Sequence, residues 1–158
     1  MKDLNVLISK EEINEKLNEM AERLDRDYEG KAITVLSVLN GAVFFTTDLT
    51  SRMKTKMQFA FIKVSSYEGT ESTGKIKLKA DVDDSLIEGK DVLIVDDMIA
   101  SGESVLDIAM ELKERKARNV YVATTFAFFT EGLEKFNRFY EDGIISRVYS
   151  TNLTYISD

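Results

Sequence analysis

The fold is decided by the stretch Asp91-Val92-Leu93-Ile94-Val95-Asp96-Asp97-Met98-Ile99-Ala100-Ser101-Gly102-Glu103-Ser104, which begins with an apolar run and continues into two acids and a loop of small residues. The run from Val92 to Val95 is short and rich in Val and Ile, which is typical of a strand buried on both faces of a parallel sheet. After the loop, apolar residues recur at helical spacing, at Val105, Ile108, Ala109 and Leu112. We therefore predict a strand that ends at the acidic pair, then a loop and a helix, within an α/β domain.

The loop 100–104 has the composition of a phosphate site. Its backbone N–H groups can converge on one point, and the following helix presents its positive N-terminal end to the same point. Gly102 tolerates positive φ and allows a close approach to the backbone, while the hydroxyls of Ser101 and Ser104 add donors. We expect a larger side chain at Gly102 to block the ligand and leave the fold intact.

The acidic pair, Asp96 and Asp97, would repel a phosphate and must serve another group. Carboxylates accept hydrogen bonds from ribose hydroxyls, and they are also suitable ligands for Mg²⁺. A phosphate site beside a diol or metal site predicts a ribose 5-phosphate as the ligand.

Two other interpretations of the stretch compete with a ribose 5-phosphate site. A plain acidic turn before a Ser-capped helix would need no ligand at all. The receiver domain of a response regulator also has an apolar strand that ends in paired acids, but there the pair lies near the start of the domain. Here most of the sheet would precede Asp96 and Asp97, which argues against a receiver domain.

Composition limits the class of protein. The 158 residues suffice for one domain with a full core, and we predict a single domain over residues 1–158. The net charge of −7 argues against nucleic acid or an anionic membrane as the partner. The chain lacks Cys and His, which excludes disulfides, thiolate chemistry and a His base. With no apolar run of membrane-spanning length and no signal-peptide pattern, we expect a cytoplasmic protein.

The rest of the chain alternates between helix and strand patterns. Ser9 and Glu12 form a capping box before a helix whose predicted core stripe is Ile13, Leu17, Ala21 and Leu24. The remaining predicted strands are 33–39, 57–64, 120–129 and 144–150, and a further helix is predicted over 131–140. Asn40-Gly41 forms a small-residue turn between the first strand and a helical stretch, either as a plain connection or with its N–H groups available to a ligand.

The segment Val95–Ser104 resembles the signature of the type I phosphoribosyltransferases, which bind phosphoribosyl pyrophosphate (PRPP). Five upstream pieces are similar to one branch of that family, the hypoxanthine-guanine phosphoribosyltransferases, in the order Ile8–Ile13, Tyr28–Lys31, Val38–Phe45, Val64–Tyr67 and Glu71–Gly74. Together the similar segments cover residues 8–118. The resemblance implies a parallel twisted sheet flanked by helices, with a mobile flap hairpin.

The resemblance also implies a function in purine salvage. Such an enzyme transfers the 5-phosphoribosyl group from PRPP to a purine base, here hypoxanthine or guanine, and releases pyrophosphate and a nucleoside 5-monophosphate. Asp96 and Asp97 would hold the ribose hydroxyls and Mg²⁺, and Asn40 and Gly41 would receive the pyrophosphate. The remaining residues that would bind PRPP, around its 5-phosphate, are Ile99, Ala100, Ser101, Gly102, Glu103 and Ser104. A homodimer or homotetramer is expected from the same resemblance.

Residues 65–79 predict either a flap or a solvated hairpin. The polar segment 65–74 lacks periodicity, and the segment 75–79 alternates between Lys and apolar residues. In the resembled family the flap carries a Ser-Tyr pair that closes over PRPP, and Ser66-Tyr67 matches that pair. Closure would exclude water from the reactive ribosyl centre.

The chain also departs from the family pattern. Asn40 stands where the family usually has Lys, and Ala100 stands where the purine-specific members have an Asp that exchanges a proton with the base. Glu68 or Glu71 of the flap is a candidate to take that proton. The family's base-binding hood has no clear match after residue 120.

Two further functions are compatible with these departures. One is a non-catalytic protein on the same fold that senses PRPP or a nucleotide. The other is PRPP synthesis, because the segments 123–126 and 150–152 are similar to the end of a PRPP synthetase domain. The chain lacks the ATP-binding half that such synthetases need.

Overall fold

The computed structural model describes residues 6–63 and 82–153. The whole predicted flap, residues 65–79, lies outside the described residues, and with it Ser66, Tyr67, Glu68 and Glu71.

The described residues form a five-stranded parallel sheet with helices on both faces. The strands lie in the order β2-β1-β3-β4-β5, and all four strand pairs are parallel. Their bounds are Ala32–Leu39 (β1), Lys56–Lys63 (β2), Asp91–Ile99 (β3), Asn119–Ala127 (β4) and Arg147–Leu153 (β5). The α-helices are Lys10–Asp27 (α1), Val43–Thr50 (α2), Glu103–Glu114 (α3) and Glu134–Glu141 (α4), and a 3-10 turn covers Asp84–Leu86. The predicted fold class is therefore confirmed.

The first helix begins where the sequence predicts. The side chain of Ser9 accepts a hydrogen bond from the Glu12 N–H, and the Glu12 carboxylate accepts one from the Ser9 N–H, which completes the capping box. The buried stripe consists of Leu17, Met20, Ala21 and Leu24. The prediction that Ile13 belongs to this stripe is wrong, because its side chain lies within the first turn and is half-exposed.

The apolar run of β3 is buried because the sheet has a core on each face. Val92 and Ile94 pack with α3 and α4, whereas Leu93 and Val95 pack with α1 and α2. Successive side chains of a strand point to opposite faces, so a strand covered on both sides needs an unbroken apolar run. The sequence pattern of the central strand thus has a direct structural cause.

The predicted end of β3 is wrong by four residues. Pairing with β1 stops at Val95, but pairing with β4 continues to Ile99. Asp96 and Asp97 therefore lie within the strand, at the point where it loses one of its two neighbours. The later elements are shifted as well: β4 ends at Ala127, α4 begins at Glu134 and β5 begins at Arg147.

The buried carboxylate of Asp91 connects the amino-terminal ends of β3 and β4. Asp91 is fully buried and accepts hydrogen bonds from Arg118, at 2.6 and 2.9 Å, and from Asn119 at 2.8 Å. Burial by itself would raise the pKa of Asp91, but the hydrogen bonds from Arg118 and Asn119 outweigh it and hold the pKa below its usual value. Since Asp91 pairs in register with Asn119, these bonds help to set the alignment of the two strands.

Within residues 6–63 and 82–153, no helix combines the length and the apolar character that crossing a membrane requires.

Candidate functional site

The strand order places a crevice at the carboxyl ends of β1 and β3. From β1 the chain passes to β2 on one side of the sheet, and from β3 onward it builds the other side. The connections on the two sides leave in opposite directions, and ligands of open α/β sheets bind at such a switch point. At this edge of the sheet, Asn40-Gly41 follows β1, and Asp96-Asp97 lies near the end of β3.

The two acids of β3 have different environments. Asp96 is buried, with 8% of its surface exposed, and its Oδ1 accepts a hydrogen bond from the Asp97 N–H at 2.9 Å. Burial, and to a smaller extent the hydrogen bond with the Asp97 side chain, raises the pKa of Asp96 to about 7. Asp97 is exposed. The pKa of the buried Asp96 therefore lies near neutral pH, whereas the neighbouring Asp97 faces solvent.

Asp97 lies directly against the backbone of Gly41. A Cβ atom placed on Gly41 would lie 2.3 Å from Oδ2 of Asp97 and 2.6 Å from its Cγ. A side chain at position 41 would displace the Asp97 carboxylate, so the glycine allows the acid to lie against the turn. The contact joins the predicted pyrophosphate turn to the predicted ribose and metal site.

The turn that contains Gly41 is anchored on both sides. The Ala42 N–H donates to Val38 O and the Val43 N–H donates to Asn40 O, each at 3.3 Å. The Leu39–Asn40 peptide bond is cis. Beneath the turn, the buried hydroxyls of Ser37 in β1 and Thr46 in α2 share a hydrogen bond of 2.7 Å. Asn40 itself is exposed at the carboxyl edge of the sheet, as the sequence predicts.

The loop 100–104 is attached to the end of β4. The Phe128 N–H donates to Ile99 O at 2.8 Å, and the Thr130 N–H donates to Ala100 O at 3.0 Å. Helix α3 begins at Glu103 and its N-cap is Gly102, which makes no side-chain capping bond. Such a helix end has N–H groups without intrahelical partners, which is the feature that a phosphate group uses.

Gly102 has a structural role that the sequence did not reveal. Its φ of +90° belongs to the left-handed region, as predicted, but a Cβ atom here would lie 2.4 Å from the ring of Phe136 in α4. The residue is buried. The expectation that a larger residue at Gly102 leaves the fold intact is therefore wrong, because it would collide with Phe136 and strain the backbone.

A charged contact borders the loop. The Glu103 carboxylate pairs with Lys135 at 3.4 Å, and Lys135 also pairs with Glu131 at 2.6 Å. Lys135 was not predicted from the sequence. Glu131 precedes α4, so its spacing of four residues from Lys135 is not that of a pair within one helix. The pair offsets the charge of Glu103 beside the N-terminus of α3.

The structure brings most of the predicted site residues to one edge of the sheet. They are Asn40, Gly41, Asp96, Asp97, Ile99, Ala100, Ser101, Gly102, Glu103 and Ser104. Over the described ranges, no group of three or more acids is placed to hold a metal ion. Mg²⁺ is commonly bound by one or two carboxylates together with substrate oxygens and water, so the exposed Asp97 beside Asp96 fits a magnesium ion that arrives with a phosphorylated ligand.

The sheet order 2-1-3-4-5 is common to several doubly wound α/β classes, and the acidic pair and small-residue loop at the end of its central strand agree with the type I phosphoribosyltransferase class. Comparison with known families agrees: the family described as "Phosphoribosyl transferase domain" matches residues 9–148. The chain belongs to this family.

Named relatives share the same region. The chain is 42% identical over 120 residues to the hypoxanthine-guanine phosphoribosyltransferase of Lactococcus lactis, which covers 75% of the chain and 64% of the relative. Identity is also 42% over 120 residues with the bifunctional protein TilS/HprT of Listeria innocua, with 75% of the chain and 18% of the relative covered. A crystal structure of a hypoxanthine-guanine phosphoribosyltransferase from Bacillus anthracis superposes with a TM-score of 0.68 at 34% identity, over 80% of this chain and 73% of that one. The chain thus spans less than two thirds of these two sequence relatives.

Proposed function

We propose that the protein transfers the 5-phosphoribosyl group from PRPP to a purine base, as the names of its relatives suggest for hypoxanthine and guanine. The contact between Gly41 and Asp97 carries the proposal, because it joins a strand-to-helix turn, an acidic pair and a phosphate-type loop at one switch point. PRPP, the phosphoribosyl donor, carries a 5-phosphate, a ribose diol and a pyrophosphate, and its binding needs these three features side by side.

Each group would hold one part of PRPP. The 5-phosphate would lie at the N-terminus of α3, with donors from the backbone of 100–104 and from Ser101 and Ser104. Asp96 and Asp97 would accept hydrogen bonds from the ribose hydroxyls and hold Mg²⁺, which when bound would neutralise charge on the departing pyrophosphate. The turn at Asn40 and Gly41 would receive the pyrophosphate through N–H groups and the Asn40 amide.

In the reaction, a ring nitrogen of the base forms a bond to C1 of the ribose as the bond from C1 to the pyrophosphate oxygen breaks. The proton on that nitrogen must leave as well. Ala100 cannot accept it, so Glu68 or Glu71 remains the proposed acceptor. The chain's main contribution would be to position the reactants and to stabilise charge.

Ser66 and Tyr67 would close over bound PRPP and exclude water during the transfer. We also propose self-association as a homodimer or homotetramer, which light scattering on the purified protein would test.

A second function is supported by a specific observation. Asn40 brings no positive charge to the pyrophosphate turn, and Ala100 brings no proton acceptor to the base side. A protein that only senses PRPP or a nucleotide would need neither.

A pyrophosphate-release assay separates the two functions. The protein is incubated with PRPP and Mg²⁺ and with each common nucleobase in turn, and the Asp97→Asn variant serves as the matched control. Release that depends on a purine base and falls in the variant supports the enzyme. Binding of PRPP without release for any base supports the sensor.

A further inference from the structure

Two threonine side chains lie beside the acidic pair and have no role in the function so far. The registers of β3 with β4 and of β4 with β5 place Asp97, Thr125 and Thr151 side by side in one row near the carboxyl edge of the sheet. Side chains of residues that are in register across neighbouring strands lie on the same face of a sheet. We call Thr125 and Thr151 the threonine pair.

The hydroxyls of the threonine pair link the three strands through hydrogen bonds to backbone carbonyls. The Thr151 hydroxyl donates to Thr125 O at 2.6 Å, and the Thr125 hydroxyl donates to Asp97 O at 2.5 Å. Both bonds are added to the backbone ladder, because they use side-chain donors. Each threonine therefore restrains the backbone of the neighbouring strand that lies closer to the candidate site.

Among the strands that the structure describes, only β4 pairs with the part of β3 that contains Asp97. Pairing of β3 with β1 stops at Val95, whereas pairing with β4 continues to Ile99. On the side away from β4, the Asp97 carboxylate lies against Gly41. A displacement of the Asp97 backbone would move this carboxylate relative to the turn, and the hydrogen bond from Thr125 opposes such a displacement.

We propose that Thr125 is a positioning residue of the phosphoribosyl-transfer site, whose hydroxyl holds the Asp97 backbone so that the carboxylate faces the ribose and Mg²⁺. Thr151 holds the Thr125 backbone in turn. The inference rests on the proposed function, which assigns the ribose hydroxyls and Mg²⁺ to Asp97. Thr125 acts through Asp97 and needs no contact with the substrate. Because catalytic groups tolerate little displacement, this single hydrogen bond should affect activity more than stability.

The substitution Thr125→Val tests the proposal, because Val is also β-branched and lacks the hydroxyl. Calorimetry measures the affinity for PRPP with Mg²⁺ and with EDTA, and it applies to an enzyme and to a sensor alike. In Thr125→Val, the gain in affinity on adding Mg²⁺ should fall by roughly tenfold, the upper end for the loss of one hydrogen bond. Affinity in EDTA should change less, because the loop 100–104 still binds the 5-phosphate. Thr125→Ser keeps the hydroxyl and should keep the gain.

Initial rates give a second readout that a loss of stability alone would not produce. At saturating Mg·PRPP, kcat should fall in Thr125→Val. The KM for hypoxanthine or guanine should stay within about threefold, because Asp97 is assigned to the ribose and not to the base.

Thr34→Val is the matched control. The Thr34 hydroxyl, in β1, also donates to a backbone carbonyl at 2.5 Å, that of Leu86, but Thr34 lies near the amino end of its strand. Because Thr34 is buried, this variant should lose at least as much thermal stability as Thr125→Val, yet it should keep the gain from Mg²⁺.

A double variant separates positioning through Asp97 from an independent effect. In Asp97→Asn the carboxylate has already been removed, so the addition of Thr125→Val should cause little further loss of the gain from Mg²⁺. Losses that add in the double variant would refute the positioning role.

The remaining outcomes separate this inference from the function on which it rests. If the wild type gains PRPP affinity with Mg²⁺ and Thr125→Val gains as much, the positioning role is refuted and the proposed function stands. The positioning role is also refuted if the wild type shows no gain, if Thr34→Val loses as much of it, or if Thr125→Ser loses it too. If the wild type binds no PRPP with or without Mg²⁺, both the positioning role and the proposed function fail.

Discussion

Gly41, in the turn after β1, and Asp97, in β3, are in direct contact: a Cβ atom on Gly41 would lie 2.3 Å from Oδ2 of Asp97. They are 56 positions apart in the sequence. Because β1 and β3 are neighbouring parallel strands, their carboxyl ends meet at one edge, and this contact makes the acidic pair and the turn a single site.

Gly41→Ala should displace the Asp97 carboxylate and weaken PRPP binding. The transfer reaction should slow as well, because a misplacement of about 1 Å in a catalytic site can cost about a hundredfold in rate. Thermal stability should change little, since both residues are exposed. Calorimetry with Mg·PRPP provides the measurement. The double variant with Asp97→Asn should be no worse than Asp97→Asn alone, because both changes act on one carboxylate. Additive losses would show that Gly41 acts independently of Asp97.

Asp96→Asn should weaken Mg²⁺-dependent binding without destabilising the fold. Burial raises the pKa of Asp96 from 3.8 to about 7, so between these values the folded state holds a proton that the unfolded state has lost. Stability of the wild type should therefore fall as pH rises from about 4 to about 7, and the variant should lack this contribution. Melting temperatures at pH 5 and pH 8 measure the difference. A variant that melts well below the wild type at pH 8 while binding PRPP normally would show a structural role.

Arg118→Met should destabilise the fold, because it leaves the buried Asp91 carboxylate with Asn119 alone. Removing one partner of a buried ion pair is strongly destabilising, and the loss should be smaller here because Arg118 is 55% exposed and Asn119 still donates to Asp91. The pKa of Asp91 is held below its usual value, so its contribution is present above about pH 4 and is lost as pH falls through the folded pKa.

Urea unfolding at pH 7 and pH 3 measures this effect. Arg147→Met is the matched control, because its partner Asp27 is 29% exposed and such pairs contribute at most about 1 kcal/mol. Equal losses in the two variants would contradict the role assigned to Asp91.

Ala100→Asp should raise turnover with hypoxanthine or guanine. The new carboxylate would face the reacting base nitrogen and could take its proton, and such catalysis contributes about 10²–10⁴-fold. Ala100 is exposed, so the larger side chain has room. Initial rates at saturating PRPP provide the measurement, and Ala100→Asn controls for size. If Glu68 or Glu71 already takes the proton, the gain should be small and Glu→Gln at that position should slow the reaction.

Much of the fold follows from local sequence patterns. The run from Val92 to Val95 predicts a strand buried on both faces, and the Ser9–Glu12 capping box predicts the start of α1. These features depend on side-chain periodicity and on contacts within one turn of a helix. The extension of β3 through Asp97 depends instead on pairing with β4, which no local pattern in β3 encodes.

The candidate site was predicted less completely than the fold. The acids and the loop stand out in the sequence because their chemistry is local to one stretch. The burial of Gly102 beneath Phe136 was missed because the two residues are 34 positions apart.

Direct detection of the nucleotide product tests the central claim. Purified protein is incubated with Mg²⁺, PRPP and hypoxanthine or guanine, and the nucleoside 5-monophosphate is measured by mass spectrometry, with Asp97→Asn alongside. We predict product that requires PRPP and the base together and that falls strongly in the variant. The absence of nucleotide product with every base, or equal product from Asp97→Asn, would contradict the assignment of a phosphoribosyl-transfer site to the edge of β1 and β3.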